Sequence, residues 1–191
     1  MYVVLVHGFL DSARIMSPLA RHLEAEGHAC FAPTLKPRDA RDGIAVLAQR
    51  LKQAIDETIP HEADFAVIGY SMGALITRYY LLELGGAART TAFFSIAGPH
   101  HGTILAHFYP GLGARDMRPG SVLLQQLERS AGRTRIPTVC YWTPFDTMIL
   151  PLTSARLPGA EPVRVLWTLH PLMTFSRQIK RDIARRLARM S

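Results

Sequence analysis

The chain has 191 residues, 48% of them hydrophobic and 19% charged, which fits one domain with a sizeable core and excludes a disordered chain. Its net charge of +7 would suit an anionic partner, but the arginines are scattered except near the end of the chain, which argues against nucleic-acid binding. No apolar run approaches the ~20 residues of a membrane span.

In chain order, periodicity predicts a strand at 2–7, a helix at about 15–26, a strand at 28–32 and a helix at about 40–59. A short apolar strand at 65–69 then meets Ser71 and a helix carrying Leu75, Tyr79 and Leu82 on one face, stopped by Gly85 and Gly86. Further strands are expected at 91–97, 136–142 and 163–168, with a terminal helix at 176–190. The runs YVVLVH, FAVIG, TAFFSIA and VRVLW are apolar at successive positions, as strands covered on both faces must be, so the sheet should be parallel and doubly wound. One domain is expected over 1–191. The 103–135 segment is an extended connection, broken at Pro110, Gly111 and Gly113 before the helical SVLLQQLER.

The opening MYVVLVHGFL lacks the basic start of a signal peptide, which implies a cytoplasmic protein. In the terminal segment, Ile179, Ile183 and Leu187 form one apolar stripe with a basic back. That pattern reads as a packed helix with a solvated face in preference to an anionic membrane-surface contact. Cys30 and Cys140 stand at no metal or redox spacing, and buried structural thiols are expected. No obligate partner is implied.

Chemistry concentrates in VIGYSMGALI (67–76), where one hydroxyl lies between two glycines at a strand-to-helix turn. Gly69 and Gly73 permit so tight a turn, which lifts Ser71 Oγ off the sheet and aims the Met72 N–H, at a helix N-terminus, toward developing negative charge. In a parallel sheet the site lies beyond the carboxyl ends of the strands. Those exits carry His7-Gly8-Phe9-Leu10, Ser71, Gly98-Pro99-His100-His101-Gly102-Thr103, Thr143-Pro144-Phe145-Asp146 and Leu169-His170. A serine, an acid and a histidine thus appear in that order.

Through VHGFLDS, GYSMG, AGPHHGT, FDTMILP and LHPLM, nearly the whole chain resembles the α/β-hydrolase lipases and esterases, especially small bacterial lipases with a minimal core. The resemblance implies a six-stranded, mostly parallel, doubly wound sheet that lacks the family's first two strands, in local order 2-1-3-4-5-6. It also makes the Phe9 N–H the second oxyanion donor beside that of Met72. Two departures stand out: His170 follows Leu169 where relatives often have Gly, and no Gly follows Asp146. On that strand order, Cys30 and Cys140 lie four strand spacings apart, on the order of 19 Å, beyond disulfide reach.

The catalytic set expected is therefore Ser71 as nucleophile, His170 as base and Asp146 as its orienting acid, with Phe9 and Met72 at the oxyanion. His7 is expected to hold its loop by hydrogen bonding. His100 and His101 are read as part of a shaped loop, since adjacent imidazoles rarely converge on one metal ion without further ligands. Leu10, Tyr70, Ile104, Leu105, Phe108, Tyr109, Met148 and Ile149 are the expected substrate contacts, an apolar acyl groove favouring short-to-medium chains. The function expected is hydrolysis of a small-molecule or lipid carboxylic ester through an acyl-serine, without cofactor or metal. Acyl transfer, haloperoxidase-like or C–C bond chemistry with the same residues, and a non-catalytic binding role are the alternatives.

Overall fold

Side chains that alternate along each strand sort the apolar residues into two cores. The computed structural model describes residues 1–133 and 135–190; Thr134, inside the 103–135 connection, and Ser191 lie outside the described residues. Strands β1 (Tyr2–Val6), β2 (Ala29–Phe31), β3 (Phe65–Tyr70), β4 (Thr90–Ile96), β5 (Thr138–Trp142) and β6 (Glu161–Arg164) pair in the order β2-β1-β3-β4-β5-β6, all parallel. The expected strand order and doubly wound architecture are those observed.

On one face Val4, Val6, Phe65 and Val67 pack against helices α2 (Ile44–Thr58), α3 (Met72–Glu83) and α5 (Val122–Ser130). On the other, Val3, Leu5, Ala66 and Ile68 pack against α1 (Ser17–Ala25) and α6 (Arg177–Leu187). Both faces of β1 and β3 are therefore dry, which is why their sequences read as continuous apolar runs. The short α4 (Leu112–Asp116) lies in the β4-to-β5 connection.

Helix α2 starts at Ile44, later than its periodicity predicts. Ala40 (φ 50°) and Gly43 (φ 94°) are left-handed and interrupt any earlier turn. The Ile44 N–H donates to Asp116 Oδ2 at 2.8 Å, so the helix is capped from α4, far along the chain.

Strand β6 corrects the sequence reading at 163–168. It runs over Glu161–Arg164 as an edge strand, largely exposed, and past it Val165 is buried while Leu166 and Trp167 face solvent. An edge strand has one neighbour to pack on, so VRVLW is apolar without being enclosed. Helix α6 ties this edge down. Tyr141 O–H donates to Asp182 Oδ2 at 2.8 Å, and Arg186 donates through Nε to the same carboxylate and through Nη1 to Glu161, both at 2.7 Å.

The two cysteines are free, Cys140 buried and Cys30 half-buried. Burial pushes their thiols up, to about 11 and about 12 respectively, which leaves both as neutral, unreactive side chains. Among the described residues no helix is long and apolar enough to cross a membrane.

Candidate active site

Ser71 follows β3 directly and caps α3, with φ 53° and ψ −124°. Such a conformation is costly for a non-glycine residue, and it persists only where the surroundings enforce it. The two flanking glycines show how. A Cβ on Gly69 would lie 2.6 Å from Ala74 Cα, and one on Gly73 would lie 2.3 Å from Val6 O. The turn is thus pressed against its own helix on one side and against the β1 exit on the other.

His170 opens a 3₁₀ turn (His170–Phe175) beyond β6, and Asp146 lies in the loop after β5. The fold brings both to Ser71. His170 Nε2 is 3.0 Å from Ser71 Oγ, and His170 Nδ1 is 2.9 Å from Asp146 Oδ2. Asp146 Oδ1 accepts from the N–H groups of Met148 (2.8 Å) and Ile149 (2.9 Å). The carboxylate therefore caps its own turn and anchors the imidazole at once, and its rotamer is fixed by three donors. A carboxylate on Nδ1 makes that nitrogen the donor, which leaves the Nε2 lone pair to accept from the serine hydroxyl.

Contacts that sequence reasoning missed hold His170 and the loops around it in place. Tyr70 O–H donates to His170 O at 3.1 Å, and its ring lies 5.3 Å from the imidazole, centroid to centroid. Thr143 Oγ1 donates to Thr168 O at 2.7 Å, tying the loop that carries Asp146 to the loop that carries His170. Ser154 accepts from His101 N–H through Oγ, donates to Gly102 O and receives the His100 N–H at its own carbonyl. None of these has a local sequence signal, because each joins positions brought together only by the fold.

His7 is fully buried, and its Nε2 accepts from the Leu35 N–H at 2.9 Å. That forces the proton onto Nδ1, which donates to Gly8 O at 2.8 Å. Burial pulls its pKa down, so the ring is neutral and fixes the loop after β1. The Phe9 N–H in that loop donates to no acceptor among the described residues. Met72 is the first residue of α3, and its N–H has no intrahelical acceptor. His100 points inward, its Nε2 2.7 Å from Ser95 Oγ, whereas His101 is exposed. The two imidazoles therefore diverge, and among the described residues no cluster of three or more His, Cys, Asp or Glu side chains could hold a metal ion.

Of the expected substrate contacts, Leu10, Ile104, Phe108, Tyr109 and Met148 are exposed, Phe108 to 81%, and Leu105 is half-buried. Tyr109 packs edge-on against Phe9, ring centroids 5.4 Å apart. Tyr70 and Ile149 are buried, each only 3% exposed. Tyr70 lies beneath His170 and Ile149 gives its N–H to Asp146, so both support the site from inside. Cavities of about 490, 630 and 560 Å³ open on the surface, and neither Ser71 nor His170 lines any of them, although Leu10 lines the second. His170 and Asp146 are buried, each 5% exposed, and Ser71 is half-buried, while a stacked pair, Phe145 and Trp167 (5.3 Å), is exposed in the loops after β5 and β6.

A family model described as Putative serine esterase (DUF676) matches residues 2–115. No curated protein sequence matches the chain. Among solved structures it is similar to the mature Bacillus licheniformis lipase BlEst2, at 15% identity and a TM-score of 0.75, over 97% of this chain and 90% of that one. It is also similar to a bromoperoxidase from Bacillus anthracis (15%, TM-score 0.70, 98% and 91%) and to Aspergillus fumigatus lipase B (19%, TM-score 0.72, 85% and 44%). The chain spans less than half of that last protein. At these identities the likeness establishes an α/β-hydrolase fold and nothing finer.

Proposed function

The chain belongs to the DUF676 serine esterase family, an ester hydrolase at that level, and on that premise we propose that it cleaves carboxylic esters through an acyl-serine on Ser71. The observation that carries this reading is the unbroken relay from Ser71 Oγ to His170 (3.0 Å) to Asp146 (2.9 Å). A serine hydroxyl is a weak nucleophile until a base takes its proton as attack proceeds. In this reading Ser71 occupies a nucleophile elbow, and its Oγ attacks the ester carbonyl while His170 Nε2 accepts the hydroxyl proton. Asp146 stabilises the imidazolium and holds it in the productive orientation.

The oxyanion receives the N–H groups of Met72 and Phe9, and each such donor contributes about 3–4 kcal/mol to transition-state stabilisation. Collapse of the tetrahedral intermediate breaks the carbonyl carbon to alkoxy oxygen bond. His170 returns its proton to the departing alcohol, water attacks the acyl-serine by the same relay, and the carboxylic acid leaves. The open apolar rim formed by Leu10, Leu105, Phe108, Tyr109 and Met148 supports esters with short-to-medium acyl chains as substrates.

Turnover of p-nitrophenyl butyrate tests the reading. Ser71→Ala and His170→Ala should each lose several orders of magnitude, and the double variant should be hardly worse, because members of such a set act as a unit. Multiplicative losses would show that the two side chains work independently. Full activity in Ser71→Ala would end the proposal.

A further inference from the structure

Between β5 and β6 the parallel crossover carries a 3₁₀ turn (Leu152–Ala155) but no α-helix, although such a crossover usually places a helix on the sheet. The gap remains as a cavity of about 490 Å³ between the second half of α3, the end of α5 and the starts of β5 and β6. That volume is within the range of small-molecule sites. It lies away from Ser71: Arg78, in its wall, is seven residues along α3, about 10 Å down the helix axis.

The lining has two parts. Leu81, Leu82, Phe93, Ile136 and Leu157 give it aliphatic and aromatic walls. Arg78, Arg135 and Glu128 supply two cations against one acid. The Arg78 side chain is 95% buried by its 5% exposure, and its guanidinium donates to His100 O (3.2 Å), Leu127 O (3.2 Å) and the Glu128 carboxylate (3.4 Å). Glu128 is itself half in solvent. The one carboxylate partner of Arg78 among the described residues is thus a largely solvated one, so the charge facing the cavity from Arg78 is screened by Glu128 alone. Arg135 adds a second, exposed cation.

We propose that this cavity binds an amphipathic monocarboxylate, its carboxylate against Arg78 and Arg135 and its hydrocarbon chain along Leu81, Leu82, Ile136 and Leu157. The charge excess selects an anion over an amine, and the apolar walls select a chain-bearing acid over a free inorganic anion. The acid released by ester hydrolysis is of this class, but binding in the cavity does not depend on that reaction.

Isothermal titration of the full chain with decanoate, decanol and decylamine tests the proposal. Decanoate should bind at least about tenfold more tightly than the other two, the worth of one charge-assisted hydrogen bond. Arg135→Glu and Leu157→Glu, checked by circular dichroism for retained fold, should each weaken decanoate by about the same factor. Should Leu157→Glu unfold, the exposed Arg135→Glu decides alone. Ser71→Ala should bind decanoate like the wild type. Loss of binding in Ser71→Ala would put the acid at the proposed catalytic serine, overturning the cavity assignment while leaving the esterase reading standing. Equal affinity for decanol, or decanoate binding that survives Arg135→Glu, would also overturn it.

Discussion

Ser71 holds a backbone conformation that costs a non-glycine residue about 1–3 kcal/mol, and its neighbours are what hold it there. Gly73→Ala would drive a Cβ to within 2.3 Å of Val6 O. At least the ~1–3 kcal/mol of an overpacked core should be lost, with turnover falling beyond the loss of folded protein because the Met72 N–H moves. Denaturant titration beside kinetics separates the two effects. Tyr70→Phe should be milder. It removes the hydroxyl's bond to His170 O, so stability should fall by about 1 kcal/mol and activity only modestly. At this scale Ser71 was legible because a Gly-x-Ser-x-Gly turn has a local cause, whereas the roles of Tyr70, Thr143 and Ser154 were not, since their partners lie 100, 25 and about 50 residues away.

Helix α2 shows the same divide between local and distant causes. Its stripe of Ile44, Leu47, Ala48, Leu51 and Ile55 could be read from periodicity. Its start could not, because the cap is Asp116, 72 residues away. Asp116→Ala should lower stability by about 1 kcal/mol and leave ester turnover per folded molecule unchanged, as measured by chemical denaturation and kinetics on the same samples. Strand β6 failed for a related reason. An apolar run looks alike whether the strand is central or at an edge, and the sheet's neighbours decide the difference. That Asp146 and His170 would lie beside Ser71 was legible because the exits of a parallel sheet converge, and two of them carry an acid and a histidine.

For the whole molecule, buried neutral histidines contribute to the response to acid just below neutrality. Burial lowers the pKa of His7, His28 and His100 from the ordinary 6.5. A base whose folded pKa is depressed binds fewer protons than it does in the unfolded chain, so its contribution to stability is present above 6.5 and is lost as pH falls from there. Melting temperature should therefore decline as the solution is acidified below 6.5; a melting temperature that rises over that window would contradict the neutral assignment of these rings. The proposed acyl rim makes a second prediction. Phe108 is 81% exposed, so Phe108→Ala should cost little stability while shifting preference among p-nitrophenyl esters from acetate to palmitate by roughly 1–3 kcal/mol per lost contact. A profile unchanged in shape would place the acyl chain elsewhere on the surface.

The central claim is that one hydroxyl, Ser71 Oγ, carries the acyl group. Treatment with a fluorophosphonate followed by peptide mass spectrometry reads that atom directly. The account predicts a single adduct on the peptide containing Ser71, formed in step with loss of ester hydrolysis and absent in His170→Ala, whose hydroxyl has no base. An adduct on Ser12, Ser95 or Ser154 in place of Ser71, or full inactivation without modification of Ser71, would contradict it.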